Sequence, residues 1–251
     1  MGTYSLNKRE LQYLMSQYNS DVMGIGYSLG TDPQEELRIQ ESLLSKGYAI
    51  SDFDCAFSID SDLLSMLSAC NQWQRIVHFT STSLDREEAF DRFFIIDDIV
   101  ICESKKGEAI CIEKTSKELI DNKVSQVFAA QNKVGSVDVD ESYLVSARRI
   151  EILSQLRKER LMREIQNDGC PVQLSEHLAN AISGKGEYAS VAIIERTATD
   201  IHIRSKLTIC CLNEVFLIIH PETMKEKQYI RFELGTNRKL ESELAELRRS
   251  I

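Results

Sequence analysis

The sequence has little of what marks loop-dominated, membrane-spanning or secreted proteins. Its 251 residues include only three prolines, eleven glycines and one tryptophan, which argues against a disordered or low-complexity chain. No apolar run approaches the roughly 18 residues that a membrane-spanning helix needs. The basic pair Lys8-Arg9 is not followed by the apolar segment of a secretory signal. We therefore expect a globular protein that is not inserted into a membrane.

Cysteine is present, but not in a pattern that indicates disulfides or zinc. The seven cysteines are odd in number and lie mostly in apolar runs, and none has the C-x-x-C spacing. Such cysteines are typical of reduced core thiols, which favours a cytoplasmic protein. Within Cys210-Cys211, the alternation of side chains along a strand predicts one buried and one half-exposed thiol.

Signatures of catalysis, metals and cofactors are also missing. The four histidines show no H-x-x-x-H spacing, so zinc is unsupported. In Gly24-x-Gly26-x-x-x-Gly30 the third glycine comes one residue too late for a dinucleotide-binding loop, which favours turn glycines. We expect no cofactor, no metal and no enzyme. One enzymatic alternative stays open, a Cys-dependent hydrolase in which Cys70 meets His78 in space.

Paired aspartates indicate helix starts and a solvated connector. Asp52-x-Asp54 and Asp60-x-Asp62 lack the central glycine and the closing glutamate of a calcium loop. Asp60 can instead cap a helix, as can Asn7 and Asp32, the last of which directly precedes a proline.

Negative charge is concentrated in the first part of the chain. Residues 1–100 contain 16 acidic and 7 basic residues, which gives the whole net charge of −9, while residues 101–251 are balanced. An acidic half repels phosphate backbones and anionic lipid surfaces. We therefore expect no nucleic-acid partner.

The strongest pattern in the sequence is a β-hairpin followed by a helix, and it occurs twice. The first copy joins the apolar run Ile95–Cys102 to Ala109–Ile112 across a Lys/Gly/Glu turn. The second copy crosses a polar turn at Pro221–Thr223 and returns as Gln228–Phe232. A threonine opens the helix that follows each copy, so we expect a duplicated supersecondary unit.

This duplication predicts an α+β fold of two pseudo-symmetric lobes, each an antiparallel meander sheet flanked by helices. We expect an N-terminal lobe over 1–134 and a C-terminal lobe over 171–251, joined through a long connecting helix over 135–170. The helical pattern itself covers 140–167, and residues 131–137 are the best linker.

One further strand is predicted from strict alternation. Ile201, Ile203, Leu207 and Ile209 alternate with polar residues. This pattern predicts a strand with one buried and one solvated face.

In the order of its parts the chain resembles the EspG family, the cytosolic chaperones of type VII (ESX) secretion systems. The resemblance is clearest over residues 5–130 and extends with less detail over 185–250. Its matching segments are Leu6-x-x-x-Glu10-Leu11-x-x-Leu14, Leu43-Leu44-x-Lys46-Gly47-Tyr48, Asp62-Leu63-Leu64-x-x-Leu67, the strand Arg75–Phe79, and the hairpin Asp98–Ile112 that runs into Ser116–Leu119.

The resemblance implies two pseudo-symmetric α+β lobes and a cytoplasmic adaptor that keeps helical secretion substrates soluble and delivers them for export. WXG-, LXG- or PE-PPE-like substrates all fit this expectation. A structural or regulatory subunit of the same secretion machinery is the alternative.

The same resemblance suggests where a substrate would bind. In that family the contacts lie on the central sheet and on the loop after the first meander strand, which corresponds here to Thr82–Asp91. An aromatic residue beside a charged loop is a plausible anchor for a partner. The predicted substrate-binding residues are Leu84, Phe90, Arg92 and Phe93.

Overall fold

A computed structural model of the chain describes residues 2–16, 32–51, 57–82, 88–129, 141–212 and 215–251. Four sequence predictions fall outside these ranges: the glycines at 24–30, the aspartates at 52 and 54, the linker at 131–137, and Leu84. The described residues form helices and antiparallel strands, which confirms the α+β prediction.

The first run of elements extends to residue 129. Its strands are β1 (Tyr4–Asn7), β2 (Ala49–Ser51), β3 (Phe57–Ile59), β4 (Arg75–Thr82), β5 (Glu88–Ile96), β6 (Ile99–Lys106) and β7 (Ala109–Thr115). Its helices are α1 (Lys8–Ser16), α2 (Pro33–Ser45), α3 (Ser61–Asn71) and α4 (Lys117–Ala129). The strands β1, β7, β6, β5 and β4 lie side by side in that order, and β2 pairs with β3 separately.

Among the described residues, the second run repeats this order of elements except for the pair β2 and β3. Its strands are β8 (Ser142–Ser146), β9 (Glu187–Arg196), β10 (Ile201–Leu212), β11 (Val215–Met224) and β12 (Lys227–Leu234). Its helices are α5 (Ala147–Leu153), α6 (Lys158–Asn167), α7 (Val172–Ile182) and α8 (Asn237–Ser250). Here β8, β12, β11, β10 and β9 lie side by side, so both runs place their first strand beside the last strand of a four-stranded meander.

Local signals position the helix starts as the sequence predicts. Asn7 and Glu10 form a reciprocal capping box at α1, with backbone-to-side-chain distances of 2.7 and 2.9 Å. Burial raises the pKa of Glu10, but hydrogen bonds from Lys46, Ser42 and the Asn7 N–H outweigh it and hold that pKa below its usual value. Asp32 and Asp60 cap α2 and α3 through their side chains.

The chain divides into two compact units that interleave along the sequence. Unit 1 contains residues 1–77, 89–119 and 194–202, and unit 2 contains residues 78–88, 120–193 and 203–251. The predicted boundaries at 134 and 170 stay predictions.

Each unit has its own apolar core. In unit 1, helices α1 and α3 bury Leu14, Leu63 and Leu67 against sheet residues that include Ile101 and Ile112. In unit 2, helices α6 and α7 bury a second set of side chains against the sheet, among them Leu161, Ile165, Leu174, Leu178, Leu217 and Phe232. These faces supply the main hydrophobic stabilisation of each unit.

A single long helix over 140–167 was the wrong interpretation of that segment. Residues 142–146 form strand β8, in which Tyr143 and Val145 are buried while Ser142 and Leu144 are exposed. Ser146 then caps α5, and a turn at 154–157 separates α5 from α6. Pairing with β12 decides this outcome. A short segment can match the apolar spacing of a helix and that of a strand equally well, and only its tertiary partner determines which of the two it forms.

The first predicted hairpin turn is confirmed, since Lys106 pairs with Ala109 around Gly107 and Glu108, but two other details of the predicted hairpins were wrong. The run Ile95–Cys102 is not one strand, because Asp97 and Asp98 form a turn between β5 and β6, with Asp97 at φ 50°. The segment Pro221–Thr223 lies within β11, and the turn occurs at Lys225-Glu226, both at positive φ. In each case the chain turns at charged residues rather than at the proline or glycine that usually marks a turn.

Candidate protein-binding surfaces

The predicted substrate-binding residues in unit 1 lie on strand β5. Phe90 is half-buried and its ring stacks on the guanidinium of Arg92, 4.6 Å from the ring centroid. Arg92 and Phe93 alternate along β5 and are both buried, Phe93 with only 1% of its surface exposed. The structure therefore brings Phe90 and Arg92 together and places Phe93 on the opposite face of strand β5. Their role in binding stays a prediction.

Arg92 is also half of a buried ion pair. It lies opposite Glu103 on β6, and the closest nitrogen and oxygen are 3.5 Å apart. Burial raises the pKa of Glu103, and the neighbouring Arg92 only partly opposes that rise. The pair borders a cavity of about 20 Å3, which has room for about one water molecule. A cavity of this size cannot receive a side chain of a partner.

Cys70, which also borders this cavity, is a buried thiol. Burial raises its pKa well above the usual value. Since the thiolate is the nucleophile in cysteine catalysis, this environment does not favour the hydrolase alternative. Within the ranges that the structure describes, no group of three or more His, Cys, Asp or Glu side chains could hold a metal ion.

A different surface is open on unit 2, on one face of strands β8, β10, β11 and β12. The cross-strand pairs Ile209–Ile218, His220–Arg231 and Arg231–Leu144 place the odd residues of β10 and β12 and the even residues of β11 and β8 on this face. Near α8 the face is covered: Phe216 and Ile218 of β11 are fully buried, and so are Leu240 and Leu247 of α8.

Beyond α8 the same face is exposed. Ile203, Met224 and Leu144 are 61%, 42% and 37% exposed. We call this surface the outer patch, defined by Leu144, Ile203, Glu222, Met224, Tyr229 and Arg231. Exposed apolar side chains grouped on one sheet face, with charged residues beside them, are typical of a protein-binding surface.

Charged side chains link the outer patch to α8. Glu222 and Arg231 form an ion pair at 2.7 Å on neighbouring strands, and Lys239 of α8 lies 2.5 Å from Glu233. His220 is 3.5 Å from Glu233. Positively and negatively charged side chains alternate here. The apolar positions of the patch are therefore bordered by polar residues of both charge signs.

Sequence reasoning missed the outer patch because it assigned Ile203 to a buried face. The predicted alternation holds for Leu207 and Ile209, which are buried, but Ile201 and Ile203 on the same face are exposed. No local signal distinguishes these pairs. What differs is the cover that other elements provide, which a period-2 pattern does not report.

None of the helices within the described ranges is long and apolar enough to cross a membrane.

No family model and no curated protein sequence matches the chain. Among solved structures it is similar to the Mycobacterium tuberculosis type VII secretion system chaperone EspG5, determined in complex with a PE25-PPE41 dimer. The match covers 97% of this chain and 95% of the other, at 9% identity and a TM-score of 0.61. The chain has the fold of this chaperone. A putative adenylate cyclase from Bacillus halodurans, aligned over 84% of this chain and 82% of the other at 8% identity, has a TM-score of only 0.14, which does not indicate a shared fold.

At this identity the similarity to EspG5 concerns the fold alone. It confirms the EspG-like fold that the order of helices and strands predicts, at the level of architecture. This structural neighbour is a chaperone.

Proposed function

We propose that this protein is a cytoplasmic chaperone of a type VII secretion system that binds helical substrates, keeps them soluble and delivers them for export. The observation that supports the proposal is the similarity over nearly the whole chain to EspG5 in complex with PE25-PPE41. PE-PPE-like helical pairs are therefore the first partners to test, and WXG- or LXG-like helical proteins the second.

The outer patch suits such a partner. Helices bind proteins through apolar side chains at i, i+3, i+4 and i+7, and a sheet face with Ile203 and Met224 exposed offers a complementary apolar surface. The alternating charges of Glu222 and Arg231 would orient the helix more than they would add affinity. Of the substrate-binding residues predicted from the sequence, Phe90 and Leu84 form a second proposed contact. Arg92, whose guanidinium lies against the Phe90 ring, and Phe93 are buried and would act on such a contact only through their neighbours.

Co-expression tests the proposal directly. We expect the chain to co-elute in size-exclusion chromatography with at least one helical protein encoded beside its gene. The double variant Ile203→Asp/Met224→Asp should weaken that complex by about 10-fold or more, since it puts two charges into a desolvated contact. Leu37→Asp/Leu44→Asp is the matched control, because it also adds two charges at exposed apolar positions, 60% and 36% exposed, but on α2 of unit 1.

Phe90→Ala measures the second proposed contact and should weaken binding by about 1–3 kcal/mol if Phe90 is an anchor. Binding that depends on Phe90 but not on Ile203 would place the substrate on unit 1 instead. A chain that never co-elutes with any neighbouring helical protein, yet associates stably with a component of the secretion machinery, would replace the chaperone proposal with that of a structural or regulatory subunit.

A further inference from the structure

Three arginines line one side of helix α6 in unit 2. Arg157 directly precedes the helix with an extended backbone, and Arg160 and Arg163 follow at intervals of three residues. All three line the same cleft. They are exposed, and together with Gln155 and Asn167 they line a cleft of about 820 Å3. Within the described part of the chain, none of the three guanidinium groups has a hydrogen bond or an ion pair.

The neighbouring Arg149 shows what a structural arginine looks like in this unit. Its guanidinium lies 2.9 Å from Glu164 and 2.7 Å from Asp168, and these two contacts raise its pKa. Helix α6 itself packs on unit 2 through Leu161 and Ile165, which are buried on the side of the helix away from the cleft. The three cleft arginines therefore contribute nothing evident to the fold, and as like charges three residues apart they repel one another.

Their chemistry fits a carboxylate ligand. A guanidinium presents a planar fork of N–H donors that matches carboxylate oxygens, and arginine is enriched where proteins bind one another. A long polyanion does not fit as well, because the whole chain carries a net charge of −9 and Glu159 and Glu164 also line the cleft. A short acidic segment can bind in the cleft while the negative charges elsewhere on the protein, which lie farther away, are screened by salt.

We propose that the α6 cleft binds an acidic segment of a partner protein, through ion pairs from Arg157, Arg160 and Arg163. The site is separate from the outer patch, since no residue lines both. It does not depend on the proposed chaperone function.

The test uses the full chain and a fluorescent alanine-based helical peptide with glutamates three and four residues apart. We expect the wild-type protein to bind this peptide in fluorescence anisotropy and to ignore the same peptide with glutamine in place of glutamate. Arg157→Gln/Arg160→Gln/Arg163→Gln should weaken binding by about 10-fold or more, and binding should fall as salt rises.

A charge-matched variant is the control. Arg38→Gln/Lys117→Gln/Arg238→Gln removes the same number of exposed positive charges from other surfaces and should leave peptide binding unchanged. If both triple variants weaken binding equally, or the wild type does not bind the peptide, the proposal is wrong. Tighter binding to anionic lipid vesicles or single-stranded DNA than to the peptide, abolished by the cleft variant, would also overturn it. Arg160→Gln alone provides a milder variant, should the triple change lower the melting temperature.

Discussion

Arg92 and Glu103 lie opposite each other on β5 and β6, with about nine-tenths of each side chain buried. A distance of 3.5 Å between their charged atoms is long for a charge-assisted hydrogen bond. Such a pair recovers only part of the free energy lost on removing both charges from water. It is weak evidence for stability, yet removing one partner leaves the other charge buried without compensation.

We therefore predict that Arg92→Met lowers the free energy of unfolding by about 3–5 kcal/mol at neutral pH. Loss of Arg92 raises the pKa of Glu103 further, since Arg92 is the group that lowers it. When the pKa of a carboxyl is higher in the folded state than in the unfolded state, where it is about 4.3, the folded state prefers the protonated form. The contribution of that carboxyl to stability is therefore greatest at a pH below the unfolded-state pKa, and it is lost as the pH rises through the folded-state pKa. The destabilisation should thus be smaller at a pH of about 5 than at about 8, as measured by urea unfolding.

Arg75→Met is the control for this effect. The pair of Arg75 with Glu195 is 2.8 Å long but partly exposed on both sides, so its loss should have an effect of about 1 kcal/mol or less. An Arg92 variant that behaves like the Arg75 variant at every pH would show that the buried pair has no special role.

At the scale of elements, the hairpin of β11 and β12 decides which side chains face the outer patch. Its pairing Met224–Lys227 fixes a two-residue turn at Lys225-Glu226. A shift of this register by one residue would move Glu222 and Met224 to the other face of the sheet. Both turn residues have positive φ, at 47° and 65°, which is the geometry that asparagine and glycine adopt most readily.

Lys225→Asn/Glu226→Gly should therefore stabilise the protein, by about 1 kcal/mol, because it relieves left-handed backbone strain at two positions. Gly107→Ala, in the turn between β6 and β7, should have the opposite effect of similar size. Gly107 has φ 62° and no atom within 4 Å of an added Cβ, so only the backbone conformation opposes the change. Thermal unfolding of both variants checks the two signs, and a shift in the same direction for both would contradict the turn geometry.

At the scale of the whole molecule, the units do not follow the sequence in one block each. Unit 1 includes residues 194–202, and these residues are tied to its earlier part. The Arg196 N–H donates to the Gln74 carbonyl at 2.9 Å, and Arg196 lies over the Trp73 ring at 5.7 Å. A lobe that ends at residue 134 would lack these contacts.

We predict that a fragment of residues 1–134 does not fold on its own. It lacks the strand that supplies Glu195 and Arg196 to unit 1, so the edge of β4 would be left unpaired and prone to aggregation. Circular dichroism and urea unfolding of the fragment should show no cooperative transition, while the full chain shows one. A cooperative, monomeric fragment would instead support the predicted boundary at 134.

The sequence by itself determined the α+β class, the repeated hairpin and helix, and the helix starts at Asn7, Asp32 and Asp60. These features depend on the spacing of apolar residues and on helix-capping side chains, both of which lie within one short segment of the sequence. It also predicted one buried and one half-exposed thiol at Cys210-Cys211, which the structure confirms.

Only the tertiary structure decided which strand faces are covered. Ile203 and Ile209 follow the same alternation, yet the first is exposed and the second buried, because burial depends on which helix packs over each end of the strand. Tertiary packing also explains β8. The apolar spacing of its residues is compatible with a helix, but they form a strand because they pair with β12. Candidate binding surfaces, both the outer patch and the α6 cleft, emerge at this level, since they consist of what the packing leaves uncovered.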